Sequence, residues 1–391
     1  MTKNYKCVKI EIKPTSEQIE KINKTIGTGR YLYNFYITYN KEIYEKEKKF
    51  VTGFEFSKYI NNIFIKENPD KVWIKDVSSK SNKRAIMDGE KAFKRFFKKL
   101  SKFPKFKKKN CNNQSCYFPK NNKTDFEFYR HKIKVPTLKF VRLKEYGYIS
   151  KNANIKSGTI SKETDRYFLS LVLEIEKKFK NTKNLQIKNG IGIDLGIKDF
   201  AICSDGKVFK NINKTCKVRK IEKELKREQR KQSRKYLVCK KSGKKLYECK
   251  NFQKQKLVIS KLFFRLNCIR NDYINKIVSE ITKTKLNYIT IEDLKVSNMM
   301  KNKHLSKAIS NQKFYEFRMK LLNKCKENNI ELRLVDTFYP SSKLCSNCGH
   351  KKHNLKLKDR IYKCDNCGIE MDRDFNASLN LKNAENYKIL A

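Results

Sequence analysis

Alternation of apolar and polar residues predicts β-strands in two parts of the first half of the chain. Ile10 and Ile12 share one face of residues 4–13, with charged residues between them. The same period of two returns in short segments between residues 126 and 178, for example in Tyr167–Ile175. Asn, Gly and Lys separate these segments. We therefore predict a small β-barrel or sandwich that includes the first strand.

Between those strands, apolar residues recur at helical spacing from about residue 16 to about residue 100. Aromatic residues alternate with lysines, which gives the helices a core face and a basic face. Gly27 and Gly29 are predicted to interrupt the first helix. The lysine-rich loop Phe103–Asn110 follows. Its phenylalanines could stack on nucleic-acid bases or could anchor a solvated loop, and the sequence leaves both readings open.

The second half of the chain carries two predicted strands that deliver an acid. In residues 189–196 the isoleucines share one face, which leaves Asp194 on the other face between two glycines. The glycines are expected to leave open space around that carboxylate. The second strand, residues 286–292, ends at Glu292. A basic helical segment from Lys214 to Lys261 lies between the two strands, and residues 181–184 have the composition of a linker.

Charge adds an expected partner to this α/β pattern. The chain has 391 residues, with 92 Lys and Arg against 40 Asp and Glu, and a formal net charge of +52. An excess of this size needs a polyanion to neutralise it, and the binding should depend strongly on salt. An A/T-rich genome could explain the preference for lysine, but it does not explain the shortage of acids. We therefore expect a nucleic-acid partner.

Four cysteines near the end of the chain predict a zinc ribbon. Cys345 and Cys348 form one Cys-x-x-Cys pair, and Cys364 and Cys367 form the other. Two such pairs at this separation supply four thiolates to a tetrahedral Zn²⁺. A glycine follows each pair, where the chain must turn tightly. Two histidines in the ribbon are alternative ligands, but four thiolates already complete the tetrahedron.

The remaining nine cysteines are interpreted as small buried side chains. Cys239 and Cys249 are not counted as a second metal pair, because neither belongs to a Cys-x-x-Cys motif. The N-terminus has no apolar run of the signal-peptide kind, and no segment has membrane-spanning length. We therefore expect a reducing compartment. In a bacterium this would be the cytoplasm, in association with the nucleoid, and in a eukaryote it would be the nucleus.

A third acid follows the ribbon. Asp372 can cap a helix that begins here, and Asp374 would then lie on the stripe that packs toward the sheet. Each acid taken alone has a simpler explanation, as a strand-end acid or as a favourable charge near a helix N-terminus. Together, Asp194, Glu292 and Asp374 can bind two Mg²⁺ ions across a scissile phosphate. Asp293 should project to the opposite face and is the weaker candidate.

These motifs resemble the TnpB family, the small RNA-guided nucleases of bacterial insertion sequences. The Fanzor proteins and the miniature type V CRISPR effectors are similar. The chain departs from the usual family pattern at Ser378, where alanine is usual, and in a longer lysine-rich stretch at residues 237–251. The matching segments are Gly192–Ala201, Ile291–Leu294, Ser341–Gly349, Tyr362–Gly368 and Asp372–Ser378, with further similarity in Lys91–Phe97 and Phe103–Asn110.

The resemblance implies an α/β multidomain protein with an RNase H-like RuvC domain that a zinc ribbon interrupts. It further implies an N-terminal β-barrel wedge domain carrying an inserted helical recognition domain. Asp194, Glu292 and Asp374 match the family's three metal-binding acids. The implied limits are 1–14 and 122–182 for the wedge, 15–121 for the recognition domain, 186–340 and 371–391 for the RuvC-like domain, and 341–370 for the ribbon.

The function that the resemblance implies is RNA-guided, Mg²⁺-dependent cleavage of DNA next to a short adjacent motif. Its partners would be a guide RNA and a target DNA, with no membrane. A nuclease-silent RNA-guided repressor is an alternative, which the presence of all three acids disfavours. An unguided nuclease or transposase of the RNase H fold is the other alternative.

Overall fold

The computed structural model describes residues 4–109, 114–120, 122, 125–149, 153–175, 189–284, 286–356 and 358–390. The chain divides into two compact units, residues 1–179 and 180–391, and each is described by itself. The linker predicted at residues 181–184 lies outside the described residues. Within the described part, no helix combines the length and the apolar character that a membrane crossing requires.

The strands of the first unit form one antiparallel sheet of six strands, in the order β2-β5-β6-β1-β4-β3. Its buried face carries Ile10, Ile12 and Leu169, as the alternating pattern predicts. Closure of this sheet into a barrel stays a prediction. The strands are β1 (Asn4–Lys13), β2 (Gln114–Pro119), β3 (Lys132–Val135), β4 (Lys139–Leu143), β5 (Asn154–Glu163) and β6 (Arg166–Ile175).

The sheet takes in a strand that the sequence does not reveal. Strand β2 pairs with β5 along its whole length, yet it lies before residue 122, where the implied wedge domain resumes. Only Cys116 and Phe118 of β2 are buried, so its apolar alternation is short. The domain limits otherwise stay a prediction.

The first helix of this unit is continuous, so the predicted interruption at Gly27 and Gly29 is wrong. A Cβ on Gly29 would lie 3.4 Å from the Cβ of Ala85, so this glycine lies where the first and fourth helices approach each other. Thr15 and Gln18 form a capping box at the start of the first helix. The helices are α1 (Ser16–Glu47), α2 (Gly53–Tyr59), α3 (Ile65–Glu67) and α4 (Ser79–Phe97), with a π-helical turn at Ile60–Phe64 and a 3₁₀-helix at Pro69–Asp76.

The lysine-rich segment after α4 is anchored at Phe103 and Lys107, and Phe106 lies exposed between these two anchors. The ring of Phe103 packs edge-on against Phe93 and Phe96, with centroids 5.6 and 5.4 Å apart. The backbone of Lys107 exchanges two hydrogen bonds with the side chain of Asn34. Phe106 remains exposed. The anchoring role therefore applies to Phe103, and base stacking stays open only for Phe106.

The second unit is built on a mixed sheet in the order β14-β11-β10-β7-β8-β9. Strands β7, β10 and β11 are parallel neighbours. Strand β14 is antiparallel to β11, β8 is antiparallel to β7, and β9 is antiparallel to β8. The strands are β7 (Gly190–Leu195), β8 (Asp199–Cys203), β9 (Val208–Lys210), β10 (Tyr288–Glu292), β11 (Glu331–Val335) and β14 (Lys388–Ile389); the separate hairpin near the cysteines is formed by β12 (Ile361–Lys363) and β13 (Glu370–Asp372).

Helices cover both faces of this sheet. The isoleucines of β7 and β10 pack against two long helices on one face, in a core that includes Val278 and Phe317. The last helix covers the other face and crosses β7. The predicted basic helical segment is observed as two antiparallel helices with a turn at residues 242–249. The helices are α5 (Cys216–Lys241), α6 (Lys250–Lys283), α7 (Val296–Met299), α8 (Ser306–Gln312), α9 (Phe314–Asn328) and α10 (Arg373–Lys382).

Candidate metal centres

Strands β7 and β10 place Asp194 and Glu292 at the same edge of the sheet. Their parallel register pairs Ile193 with Ile291, and the two acids are the next residue on each strand. Paired residues of neighbouring strands point to the same face, so both carboxylates leave the sheet on the face opposite the isoleucines. The side chains of the two acids are half-buried.

Helix α10 brings the third acid to this edge. A Cβ on Gly192 would lie 2.1 Å from the carbonyl oxygen of Ser378 and 2.4 Å from the backbone nitrogen of Lys382, so the helix rests directly on the strand. Asp374 lies one helical turn before Ser378, and Asp194 lies two residues after Gly192 on the same face. The expectation that Gly192 leaves open space is therefore wrong, because the helix backbone fills that space.

We expect the Gly192→Ala variant to lose roughly 3 kcal/mol of unfolding free energy in this unit. The atoms that a methyl group would meet belong to the helix backbone, which cannot move aside as a flexible side chain can. Urea denaturation measures the change. Gly27→Ala is the matched control: no atom lies within 4 Å of the added Cβ, so this helical site should gain about 0.5–1 kcal/mol. Equal stability of Gly192→Ala and the wild type would contradict the packing argument.

The three acids interact electrostatically. Burial raises the pKa of Asp194 well above its ordinary value, and the charges of Glu292 and Asp374 raise it further. The guanidinium of Arg373 acts in the opposite direction on the same pKa. Burial also raises the pKa of Glu292. The hydroxyl of Ser341 donates a hydrogen bond of 2.5 Å to the Glu292 carboxylate, and this bond acts in the opposite direction on the pKa. A cation at this edge would offset the repulsion.

Two further contacts set the surroundings of the acids. Arg360 lies with its guanidinium 3.8 Å from the Asp374 carboxylate. Asp293, the neighbour of Glu292, instead forms an ion pair of 2.5 Å with Arg318 on α9, which packs on the other face. The opposite direction predicted for Asp293 is therefore observed. Within the described residues, the three acids are not gathered as tightly as the cysteine cluster, whose ligand atoms all lie within 4.8 Å of one another.

Replacing Asp194 by asparagine should stabilise the protein when magnesium is absent. A carboxylate whose pKa is raised by folding is most stabilising when protonated, so its contribution falls as the pH rises from the unfolded pKa through the folded pKa. The side chain of asparagine carries no charge and avoids this cost. We expect the variant to melt roughly 2–4 °C higher at pH 8 and no higher at pH 4. The buffer should lack magnesium but contain no chelator, which would also remove zinc. A lower melting temperature for the variant at pH 8 would contradict the argument.

The four predicted zinc ligands lie together. The sulfurs of Cys345 and Cys367 are 3.6 Å apart, as are those of Cys348 and Cys364. Tetrahedral zinc with bonds of about 2.3 Å requires sulfurs about 3.8 Å apart, so the cluster fits structural Zn²⁺. The glycines after each pair, Gly349 and Gly368, have φ of 73° and 71°, as the predicted tight turns require.

Amide groups around the cluster favour thiolates. The backbone N–H of Ile369 and the side chain of Asn347 hydrogen bond with Cys367, and these bonds lower the pKa of its thiol to about 6. A thiol with this pKa is largely ionised at neutral pH, which is the form that binds zinc. The discounted pair, Cys239 and Cys249, does approach across the turn between α5 and α6, where a hydrogen bond between the thiols raises the pKa of Cys249. In the described chain no third ligand joins that pair. The expectation that the cysteines outside the cluster are buried is wrong for Cys7, Cys216 and Cys268, which are exposed.

Sequence reasoning missed the residues that join the zinc cluster to the acids. The side-chain amide of Asn376 on α10 donates to Leu344 O and accepts from Ser346 N, and the amide of Asn380 donates to the carbonyls of Ser341 and Leu344. Asp372 caps the same helix, as predicted, by accepting from two backbone N–H groups. The only sequence signal for the asparagines is their spacing of four residues on the buried face of α10.

Three protein-family models match parts of the chain. A "Helix-turn-helix domain" model matches residues 1–49, which here form β1 and α1 rather than two helices. A model described as "Probable transposase", OrfB_IS605, matches residues 170–303, and a "Cas12f1-like, TNB domain" model matches residues 314–381. The transposase model covers Asp194 and Glu292. The TNB-domain model covers the four cysteines and Asp374.

Individual proteins are similar over nearly the whole chain. "Putative RNA-guided DNA endonuclease InsQ" of Escherichia coli K12 is 28% identical over 97% of this chain and 92% of its own length. A "Putative RNA-guided DNA endonuclease" of Streptomyces pristinaespiralis is 26% identical over 96% of this chain and 88% of its own. The protein in a Cas12f1–sgRNA–target DNA complex shares the fold, with a TM-score of 0.61, 15% identity and coverage of 99% of this chain and 100% of that one.

The chain is thus an α/β protein whose fold resembles that of Cas12f1 and which carries a cysteine cluster of the zinc-ribbon kind. The resemblance to the TnpB family is confirmed.

Proposed function

We propose that the protein is an RNA-guided DNA endonuclease of a transposon-associated, TnpB-like system. The observation that supports this most directly is the meeting of Asp194, Glu292 and Asp374 at one edge of a mixed sheet, beside a four-cysteine cluster. The RNA-guided endonucleases that are similar along the whole chain give the reaction class. The formal charge of +52 suits a protein that holds both a guide RNA and a target DNA.

The second unit is proposed to contain an RNase H-like RuvC domain interrupted by a zinc ribbon, with limits at 186–340, 371–391 and 341–370. A mixed sheet with three parallel central strands, acids at their carboxyl ends and a helix crossing β7 supports this assignment. The first unit is proposed to contain the wedge domain and the helical recognition domain. We place β2 in the wedge, because it pairs with β5.

The three acids are proposed to bind two Mg²⁺ ions. Carboxylates are the hard oxygen donors that Mg²⁺ prefers. Burial and then the charges of Glu292 and Asp374 raise the pKa of Asp194, and cations would relieve the repulsion among these charges. Held by Asp194, Glu292 and Asp374, such ions would supply Lewis acidity, for activating a water and for stabilising the departing oxygen. The protein's own residues hold the ligands: Ser341 fixes the Glu292 carboxylate, and the Asp372 cap fixes the start of the helix that carries Asp374.

Two other functions remain as rivals. A nuclease-silent RNA-guided repressor would bind the same nucleic acids but would not need three interacting acids. An unguided nuclease or transposase would need the acids but no RNA.

Purification followed by sequencing of bound RNA separates these possibilities. We expect one discrete RNA to co-purify with the protein. We also expect Mg²⁺-dependent cleavage whose target changes when the sequence of the guide segment is changed. Cleavage without RNA would favour the unguided enzyme. Guided binding without cleavage at any magnesium concentration would favour the repressor.

A further inference from the structure

The loop after β11 presents an aromatic ring to solvent beside the acid-bearing edge of the sheet. Phe338 is 86% exposed, the largest fraction among the large apolar side chains that the structure describes. Single exposed apolar residues are ordinary on protein surfaces, so exposure alone means little. Two further features distinguish Phe338 from an ordinary exposed residue: the hydrogen bonds that hold its loop, and the position of that loop beside Glu292.

The backbone that carries Phe338 is held by hydrogen bonds on both sides. The carboxylate of Asp336 accepts from the N–H of Phe338 at 2.8 Å, and the carbonyl of Asp336 accepts from the N–H of Tyr339 at 3.1 Å. The hydroxyl of Thr337 donates to the carbonyl of Asp293 at 2.8 Å. Tyr339 packs inward against the hydrophobic cluster beneath α10. These contacts hold the backbone on both sides of Phe338 in place, so the exposed ring projects from an ordered loop.

The path of this loop surrounds Glu292. Val335, at the end of β11, is paired with Glu292 in the sheet. Six residues later the chain returns, and the hydroxyl of Ser341 donates to the Glu292 carboxylate. Phe338 lies at the midpoint of this arc, three residues from Val335 and three from Ser341, the two residues that contact Glu292.

A cation accompanies the ring. Lys295 follows Glu292 by three residues, and its ammonium lies 5.8 Å from the centroid of the Phe338 ring. An aromatic face beside a flexible ammonium is the combination that binds single-stranded nucleic acid, because the ring stacks on a base and the cation neutralises the neighbouring phosphate. Bases inside a duplex are already stacked and offer no free face to the ring.

We propose that Phe338 and Lys295 form a stacking subsite that holds one base of single-stranded DNA beside the phosphate to be cut. The subsite would fix the position of the strand relative to Asp194, Glu292 and Asp374. This inference rests on the proposed nuclease function and adds two positioning residues, Phe338 and Lys295, for the strand that the site cuts. Stacking is tolerant of base identity, so the subsite would not select sequence.

The first test compares ring-keeping and ring-removing variants in the complete protein with its RNA. Phe338→Ala should cut target DNA about 10-fold more slowly at subsaturating DNA, whereas Phe338→Tyr and Phe338→Trp should stay within about twofold of wild type. Tyr247→Ala is the matched control. Tyr247 is another exposed ring, at the turn before α6. Helix α6 rises about 36 Å between Lys250, next to this turn, and Ile274, which packs in the core of the sheet. Wild-type cleavage by Phe338→Ala, or failure of both ring-keeping variants, would overturn the proposal.

The second test locates the base. One abasic nucleotide is moved stepwise across the cleavage position of the substrate. We expect one position at which wild type loses about 10-fold and Phe338→Ala loses nothing further, because ring and base act as a pair. Losses that multiply at every position would overturn the subsite.

Failure of the proposed function itself would be visible separately, as wild-type protein that cuts no guided target. The subsite is then judged by binding alone, from the fluorescence of 2-aminopurine in a single-stranded oligonucleotide. Quenching that Phe338→Ala abolishes and Phe338→Trp retains supports stacking. Equal quenching by Phe338→Ala and wild type rejects it.

Discussion

The Asp194→Asn variant is expected to lose DNA cleavage by about 10³-fold or more while it keeps its bound RNA and its zinc. Asparagine preserves the size of the side chain, but it removes the charge that holds a divalent cation. Asp194 interacts with both of the other acids, so its loss should affect the whole ligand set. Cleavage time courses on a guided plasmid target, with RNA and zinc measured on the same sample, check this result.

Asp205→Asn is the matched control for this experiment. It removes the same charge from the same sheet, at the turn between β8 and β9, where Asp205 pairs with Lys207. This control should cut at the wild-type rate. Because Asp194→Asn is also expected to melt no lower than wild type in magnesium-free buffer, unfolding would not explain a loss of cleavage. An Asp194→Asn protein that cuts normally would remove Asp194 from the proposed site.

The elements that carry the acids could be predicted because their signals are local. Strands β7 and β10 show a period of two that ends in an acid, and parallel register then aligns Asp194 with Glu292. The zinc cluster is equally local, since two Cys-x-x-Cys pairs at this spacing have few other uses. Asp372 was recognisable as a helix cap from its own position. In each case the deciding residues are near one another in sequence.

The errors share the opposite cause. Gly27 and Gly29 suggested a helix end, but packing against α4 keeps α1 continuous. Gly192 suggested open space around Asp194, but helix α10, which follows nearly 190 residues later, packs directly on this glycine. Asn376 and Asn380 hydrogen bond with backbone carbonyls and N–H groups more than 25 residues away, and a single sequence holds no trace of such partners. Tertiary contacts decide these positions, and they override local propensity.

The contacts of those asparagines connect the zinc cluster to the acids. The segment 341–346 leads into the first cysteine pair, and α10 is bonded to it by Asn376 and Asn380. The guanidinium of Arg373, next to Asp374, donates to the carbonyl of Lys356 and to the hydroxyl of Ser342. The start of α10 is thus held by the segments that the cysteines fold. We infer that the ribbon determines where Asp374 lies.

The Cys364→Ser variant should therefore lose zinc and, with it, most cleavage. A hydroxyl is a poor replacement for a thiolate ligand, and structural zinc contributes on the order of 10 kcal/mol to the folding of its site. Without the ion, the hairpin β12–β13 and the Arg373 contacts should loosen, and Asp374 should lose its fixed position. We expect zinc content to fall from about one per chain to near zero and cleavage to fall at least about 10²-fold. Metal analysis and guided cleavage assays measure the two changes.

Cys216→Ser provides the control, because Cys216 is exposed at the first turn of α5 and lies outside the cluster. This variant should keep its zinc and its activity, so a general effect of losing a thiol is excluded. A second comparison separates structure from chemistry: Cys364→Ser should melt earlier than wild type, whereas Asp194→Asn should not. A Cys364→Ser protein with full zinc and unchanged melting would show that the ribbon does not hold α10. In that case the asparagine and arginine contacts alone would have to position Asp374.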